Sequence, residues 1–176
     1  MKQNVLFWQF AGFCLTALGG TLLHFLYEWT GGALVAAPFS GVNESTWEHM
    51  KLLYFAWLGF ALFQYRSFRD YRGFWAVKCR GLLAGLLTVP VLFYTYNGAF
   101  GKSPDWLNIT IFFVAVAVAY GVEYRLFHRG KLAHRSPTIP LGVILLVGVL
   151  FVAFTFVPPR LPLFRDPLTG EYGIPT

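Results

Sequence analysis

Five long apolar runs, separated by short charged clusters, constrain this 176-residue chain more than any other feature. They are Val5–Tyr27, Trp47–Tyr65, Leu82–Phe100, Trp106–Phe127 and Ile139–Val157. Crossing about 30 Å of hydrocarbon takes roughly 20 helical residues. Lipid offers the backbone no hydrogen-bond partner, so each run must be a helix. Barrel strands would alternate in polarity over about ten residues, and these runs do not. Composition agrees: 56% of residues are hydrophobic and only 12% charged, where a soluble domain carries about a quarter. Those values exclude a disordered tail, a disulfide scaffold and an ordinary cytosolic enzyme. The predicted fold is all-α, a polytopic transmembrane bundle of five helices over residues 1–157, followed by a Pro-rich external tail over 158–176.

Cys14 and Cys79 are isolated and give neither metal-ligand spacing nor a disulfide framework. Lys2 followed by an apolar stretch superficially resembles a signal peptide. At 23 residues the Val5–Tyr27 run is too long for a signal core, and no small-x-small cleavage site follows it. It is expected to stay as the first transmembrane helix.

Orientation follows from lysine and arginine. Lys2, Arg66, Arg69, Arg72, Lys78, Arg80, Arg125, Arg129, Lys131 and Arg135 fall on one side, and Lys51, Lys102, Arg160 and Arg165 on the other. This ten-to-four split puts the N-terminus inside and the C-terminus outside. Asp70 and Glu123 join the inner side, while Glu28, Glu44, Glu48, Asp105, Asp166 and Glu171 join the outer. The net charge of +6 therefore reads as a topology signal, and no nucleic-acid partner is expected. The lipid bilayer is the first partner.

Helix contacts in lipid favour small residues. Gly12, Thr16 and Gly20 mark such a face on the first run, Ala56 and Gly59 on the second, and Gly81-x-x-x-Gly85 at the start of the third. The stretch from Ser67 to Lys78 either lies along the inner surface or extends the third helix. Glu123 is expected to pair with nearby Arg125. His128 and His134 fall in the basic loop beside lipid phosphates.

Ionisable residues at membrane depth are costly and face a cavity or a partner. They converge at the outer ends of the first two spans: His24, Glu28, Asn43, Glu44, Ser45, Glu48 and His49, with Asn97 ending the third span on the same side. These eight are the candidate ligand-binding residues. His24 and Glu28 lie one helical turn apart, so they can hold one ion from a single helix, with His49 or Glu44 as a third ligand; zinc, iron or manganese would suit that set. Glu48 and His49 are adjacent and diverge by about 100°, which makes Glu48 a candidate general base. Plainer roles exist for the same residues. Ser45-x-x-Glu48 fits a capping box, Glu48 can pair with Lys51, Asn43 can shape a turn, and Asn97-Gly98 signals one. A metal-free His–Glu network is the other form the cluster can take. Asn43-Glu44-Ser45 and Asn108-Ile109-Thr110 also match the glycosylation triplet, which arises often by chance. Arg160, Arg165 and Asp166 of the tail are expected to fold back over this acidic end.

The string Asn43-Glu44-Ser45-x-Trp47-Glu48-His49, the helix before it with His24 and Tyr27, and the terminal PLFRDPLTGEYGI resemble a family of small bacterial integral membrane proteins of unknown function. The resemblance spans most of the chain. It implies a multi-pass protein of the bacterial cytoplasmic membrane and carries no activity or catalytic residue. A looser similarity to intramembrane metal hydrolases stops at His24-x-x-x-Glu28, which lacks their H-x-x-x-H or H-x-x-x-D pattern.

Three functions fit these residues. The first is binding of a small polar or cationic ligand at the outer side, as in a transport-accessory protein. The second is metal-assisted hydrolysis of a lipid or small amphiphile. In the third, a structural subunit, the polar cluster only fixes helix packing. Homo-oligomer formation is left open.

Overall fold

The computed structural model describes residues 4–175, and for Asp105 the backbone alone; Lys2 lies outside this range. The chain forms α1 (Val5–Trp29), α2 (Thr46–Phe68), α3 (Phe74–Phe100), α4 (Asp105–Arg129) and α5 (Thr138–Phe156), then one turn of 3-10 helix at Pro162–Phe164. There is no strand among the described residues, only an isolated bridge between Arg165 and Tyr172. Local chemistry sets the ends. Asn4 caps α1 by accepting from the Phe7 N–H at 3.1 Å, Ser45 caps α2, and Gly130 closes α4 in the left-handed region at φ +63°.

Five spans were expected; of the five helices, α1, α3, α4 from Trp106 and α5 are long and apolar enough to cross a membrane. α2 has the length, 23 residues, but Glu48, His49, Lys51, Gln64 and Arg66 make it too polar. Its position explains how it tolerates them. α2 touches all four other helices, and Trp57, Leu53, Ala61 and Gln64 are fully buried on it. The apolar helices cover the polar face of α2, while Gly59, Leu62, Phe63 and Tyr65 keep part of its other face exposed.

Neighbouring helices run antiparallel, which gives the bundle two ends. Trp8 of α1 packs on Phe60, Phe63 and Phe68 of α2, while His24 of α1 meets His49 of α2 at the far end. The first may be called the basic end, since it carries Arg66, Arg69, Arg72, Arg129, Lys131 and Arg135; the second is the histidine end.

Close approach to α4 explains the small residues. Gly12 lies against the Tyr120 ring and Gly20 against the Phe112 ring, so a Cβ at either would collide with an aromatic side chain. Between them the Thr16 hydroxyl bonds the Tyr120 hydroxyl at 2.6 Å. Gly81 gives the Glu123 side chain room to lie along α3. Gly59, expected on a packing face, is exposed and meets nothing.

Two ion pairs sit inside the bundle. Lys51 pairs with Glu48 one turn before it. Lys51 Nζ also donates to the Ala37 carbonyl at 2.8 Å and to the Thr155 hydroxyl of α5 at 2.7 Å. Glu48 accepts from the Val42 N–H at 3.1 Å and from the Thr155 hydroxyl at 3.2 Å. The second pair joins Lys78 of α3 to Glu123 of α4 at 2.7 Å. Trp57 Nε1 donates to Glu123 at 2.8 Å, and Lys78 Nζ stands 4.9 Å from the ring centres of both Trp57 and Tyr120, within cation–π range.

These pairs correct two expectations and decide one alternative. Of the two readings of the stretch before Leu82, the helix extension holds from Phe74 onward, and Lys78 is enclosed within it. Glu123 finds Lys78 and not Arg125. Lys51 and Lys78 are each neutralised in place, so neither belongs in the count of facing charges. Arg66, Arg69, Arg72, Arg80, Arg125, Arg129, Lys131 and Arg135 then stand against Lys102, Arg160 and Arg165, and the bias between the ends persists.

The tail is docked, not extended. Phe164 is buried against Trp47 and Phe154, with ring centres 4.7 and 5.4 Å away. Asp166 accepts from the Leu168 N–H at 2.7 Å and closes a local turn, while Arg165 Nε donates to the Gly170 carbonyl at 3.2 Å. Arg165 and Asp166 thus shape the tail itself, and neither forms an ion pair with the histidine end among the described residues.

A buried pair stripped of one member leaves an uncompensated charge, which costs about 3–5 kcal/mol, whereas apolar replacement of both is close to neutral. Glu48→Leu is therefore expected to destabilise the protein by about that amount in thermal unfolding, and Glu48→Leu with Lys51→Met to recover most of the loss. A single variant as stable as the wild type would show that the pair is not closed in the bundle.

Candidate functional site

The segment from Asn43 to His49 assigns a separate task to each polar residue. Asn43 Oδ1 accepts from the Ser45 N–H at 2.9 Å, which makes the turn. Its amide Nδ2 donates to the Gly173 carbonyl at 2.7 Å and ties the tail to the head of α2. Ser45 Oγ accepts from the Glu48 N–H at 3.4 Å. The capping box is incomplete, because Asn43 already occupies the Ser45 N–H and the Glu48 carboxylate turns to Val42 instead. Trp47 fills the space between Phe151, Phe154 and Phe164. Glu48 is locked by Lys51, Val42 and Thr155 and is only 2% exposed.

Glu44 is left facing outward. Its carboxylate lies between two imidazoles, 3.6 Å from His24 Nε2 and 3.5 Å from His49 Nε2, and its side chain is 41% exposed. The two rings are 5.5 Å apart between centres. His49 Nδ1 sits 3.0 Å from the Ser45 carbonyl oxygen. A carbonyl only accepts, so Nδ1 must carry the proton, and in the neutral ring Nε2 then presents a lone pair. That lone pair points at a carboxylate, which is also only an acceptor. Two acceptors converge on one point, and the arrangement becomes attractive when a positive donor lies between them or His49 itself takes up a second proton.

This group closes one end of a cleft of about 460 Å³ between α1 and α4. Phe25, Ile109, Phe112 and Phe113 form its apolar walls, and Leu168 of the tail reaches its rim. Asn108 stands on the wall beside Glu44. Its Oδ1 accepts from Ser103 Oγ at 2.8 Å, and Ser103 is held in turn by Asn97, whose Oδ1 accepts from the Ser103 N–H at 2.8 Å. Asn97 Nδ2 donates to the Phe93 carbonyl at 2.8 Å, so Asn97 shapes the α3–α4 turn and positions Asn108 through Ser103.

The candidate residues therefore divide. His24, Glu44 and His49 come together. Asn43, Ser45 and Asn97 build the turns around them, and Glu48 belongs to a buried pair. Glu28 is exposed and makes no ion pair with either imidazole among the described residues, so the ligand set His24, Glu28 and His49 is not assembled. Among the described residues no group of three or more His, Cys, Asp or Glu side chains is placed to hold a metal ion. Asn108 was read only as a glycosylation triplet. As the one amide in the first turns of an otherwise apolar span, it carried the same signal of cost at membrane depth as His24.

No curated protein and no solved structure matches this sequence. The model of one family matches residues 1–174, so the chain belongs to DUF6512, a family of unknown function.

Proposed function

We propose that this is a multi-pass protein of a bacterial cytoplasmic membrane, with the basic end inside, that binds an amphiphilic primary ammonium ion at its outward histidine end. α2 crosses with the other four helices, which cover its Glu48, Lys51 and Gln64 and leave Leu62 and Phe63 to lipid. The observation that carries the reading is the convergence of the Glu44 carboxylate and the His49 Nε2 lone pair. An –NH3+ group brings three N–H donors and a positive charge to that point. The phenylalanine walls of the cleft accept an alkyl or aryl body, and their faces favour a nearby cation. Transport-accessory binding is the functional class. The hydrolase alternative is less well supported, because its general base, Glu48, is held by Lys51 and one of its metal ligands, Glu28, pairs with neither imidazole among the described residues.

Octylammonium titrated into the full chain in lipid nanodiscs, against protein-free nanodiscs as the partition control, measures this directly. Saturable binding is expected, and octyltrimethylammonium, which has no N–H to donate, should bind at least about tenfold more weakly, a difference of about 1.4 kcal/mol. Equal affinity for the two ions would remove the hydrogen-bonded site. Glu44→Gln keeps the shape and removes the charge, and should weaken octylammonium by about tenfold or more, since charge-assisted bonds contribute about 1.5–3 kcal/mol.

A further inference from the structure

A second polar layer lies in the basic half of the bundle, away from the proposed ammonium site. Lys78 and Glu123 form its centre, with Trp57, Tyr120 and Thr16 around them. Gln9 of α1 and Gln64 of α2 share the level below. Gln9 is three residues before Gly12 on the buried face of α1, and Gln64 is one turn after Phe60; Gly12 and Phe60 lie against each other and against Tyr120. Gln9 is 4% and Gln64 0% exposed, yet neither end of either amide has a partner among the described residues. A buried polar atom left unpaired costs about 1–3 kcal/mol, so four in one layer do not fit a dry structural core.

The basic end holds a cleft of about 930 Å³ between the start of α1, the α2–α3 turn and the end of α4. Ser67, Asp70, Tyr124 and His128 are on its polar side. Val5, Phe68 and Phe127 also line it, and each is four residues from Gln9, Gln64 and Glu123 respectively. The cleft thus ends one helical turn, about 5.4 Å, from the polar layer on three helices at once. Phe68 and Phe127 form the partition, with ring centres 5.1 Å apart. Tyr71 packs on Phe127 from the cleft side, and its buried hydroxyl also has no partner among the described residues.

We propose that this layer is a hydration site: water enters from the basic end past Phe68 and Phe127, bonds the Gln9 and Gln64 amides, and brings the Lys78–Glu123 pair into proton exchange with that side. Buried water typically makes about three hydrogen bonds, and the amides with the Glu123 carboxylate supply them. A proton passing from Lys78 Nζ to Glu123 Oε2 leaves a neutral amine and a neutral acid, so the pair keeps its net charge while its protons exchange. The groups around it are otherwise silent. Tyr120 is the one other titratable side chain described against the pair; the facing residues of α1 and α2 are amides, a hydroxyl and apolar rings, and α5 carries no titratable residue.

The Trp57 indole N–H reports on this layer, because it is fully buried and bonded to Glu123. In 15N-labelled full chain in nanodiscs, with the resonance assigned by its loss in Trp57→Phe, a cross-peak to water and exchange well ahead of the amides in the middle of α5 are expected. Gln9→Leu with Gln64→Leu should weaken the cross-peak, and Phe127→Ala should speed exchange by about tenfold or more. An indole as protected as the α5 amides, with no water cross-peak, would show a dry layer in which the two amides bond each other, and would overturn the proposal. Faster exchange in Phe112→Ala, at the other cleft, with none in Phe127→Ala would overturn the entry route. None of these results depends on ammonium binding at the histidine end.

Discussion

A helix bearing Glu48, Lys51 and Gln64, and reaching Glu123 through Trp57, persists in hydrocarbon only if nothing on those residues meets lipid. That constraint organises the bundle. Four apolar helices pack against the polar face of α2, small residues on α1 and α3 bring α4 close, and Lys51 and Lys78 each find a carboxylate within one hydrogen-bond length. Buried pairs are poor sources of stability compared with well-packed apolar residues. Their geometry does specify register: Lys51 reaches α5 through Thr155, and Lys78 reaches α4 through Glu123, so sliding either helix by one turn would strand a charge.

The apolar runs were legible because lipid dictates length and polarity so strictly. The helix count, the two ends and the small-residue face of α1 follow from spacing alone. What the runs concealed was polarity turned inward. Lys78 sits among Arg72, Arg80 and other basic residues, so it reads as one more loop cation, although its helix starts at Phe74. Its partner Glu123 is 45 residues away, and nothing local announces a contact of that range. The outer cluster was legible as a region but not as an arrangement. His24 and His49 are brought together by the antiparallel pairing of α1 and α2. The choice of Glu44 over Glu28 depends on the turn that Asn43 makes, which aims one carboxylate at the rings and leaves the other exposed.

The seven residues from Asn43 to His49 join parts of the molecule that are far apart in sequence. One residue holds the tail, two face the cleft, one starts the helix, one packs on α5 and one neutralises Lys51. A substitution anywhere in the string therefore disturbs both architecture and site, and phenotype alone would not separate the two. The ends of the protein also differ in character. The histidine end presents acceptors over aromatic walls, while the basic end presents cations around a polar cleft with aromatic rings at its back.

The bond from Asn43 to the Gly173 carbonyl has a consequence in time as well as in space. α1, α2 and the turn between them precede α5 in the chain, whereas Leu168, which reaches the cleft, and Gly173, which holds the turn, follow it. The cleft therefore gains its rim only after α5 has been made and the tail has folded back. Completion of the site thus follows the synthesis of all five helices.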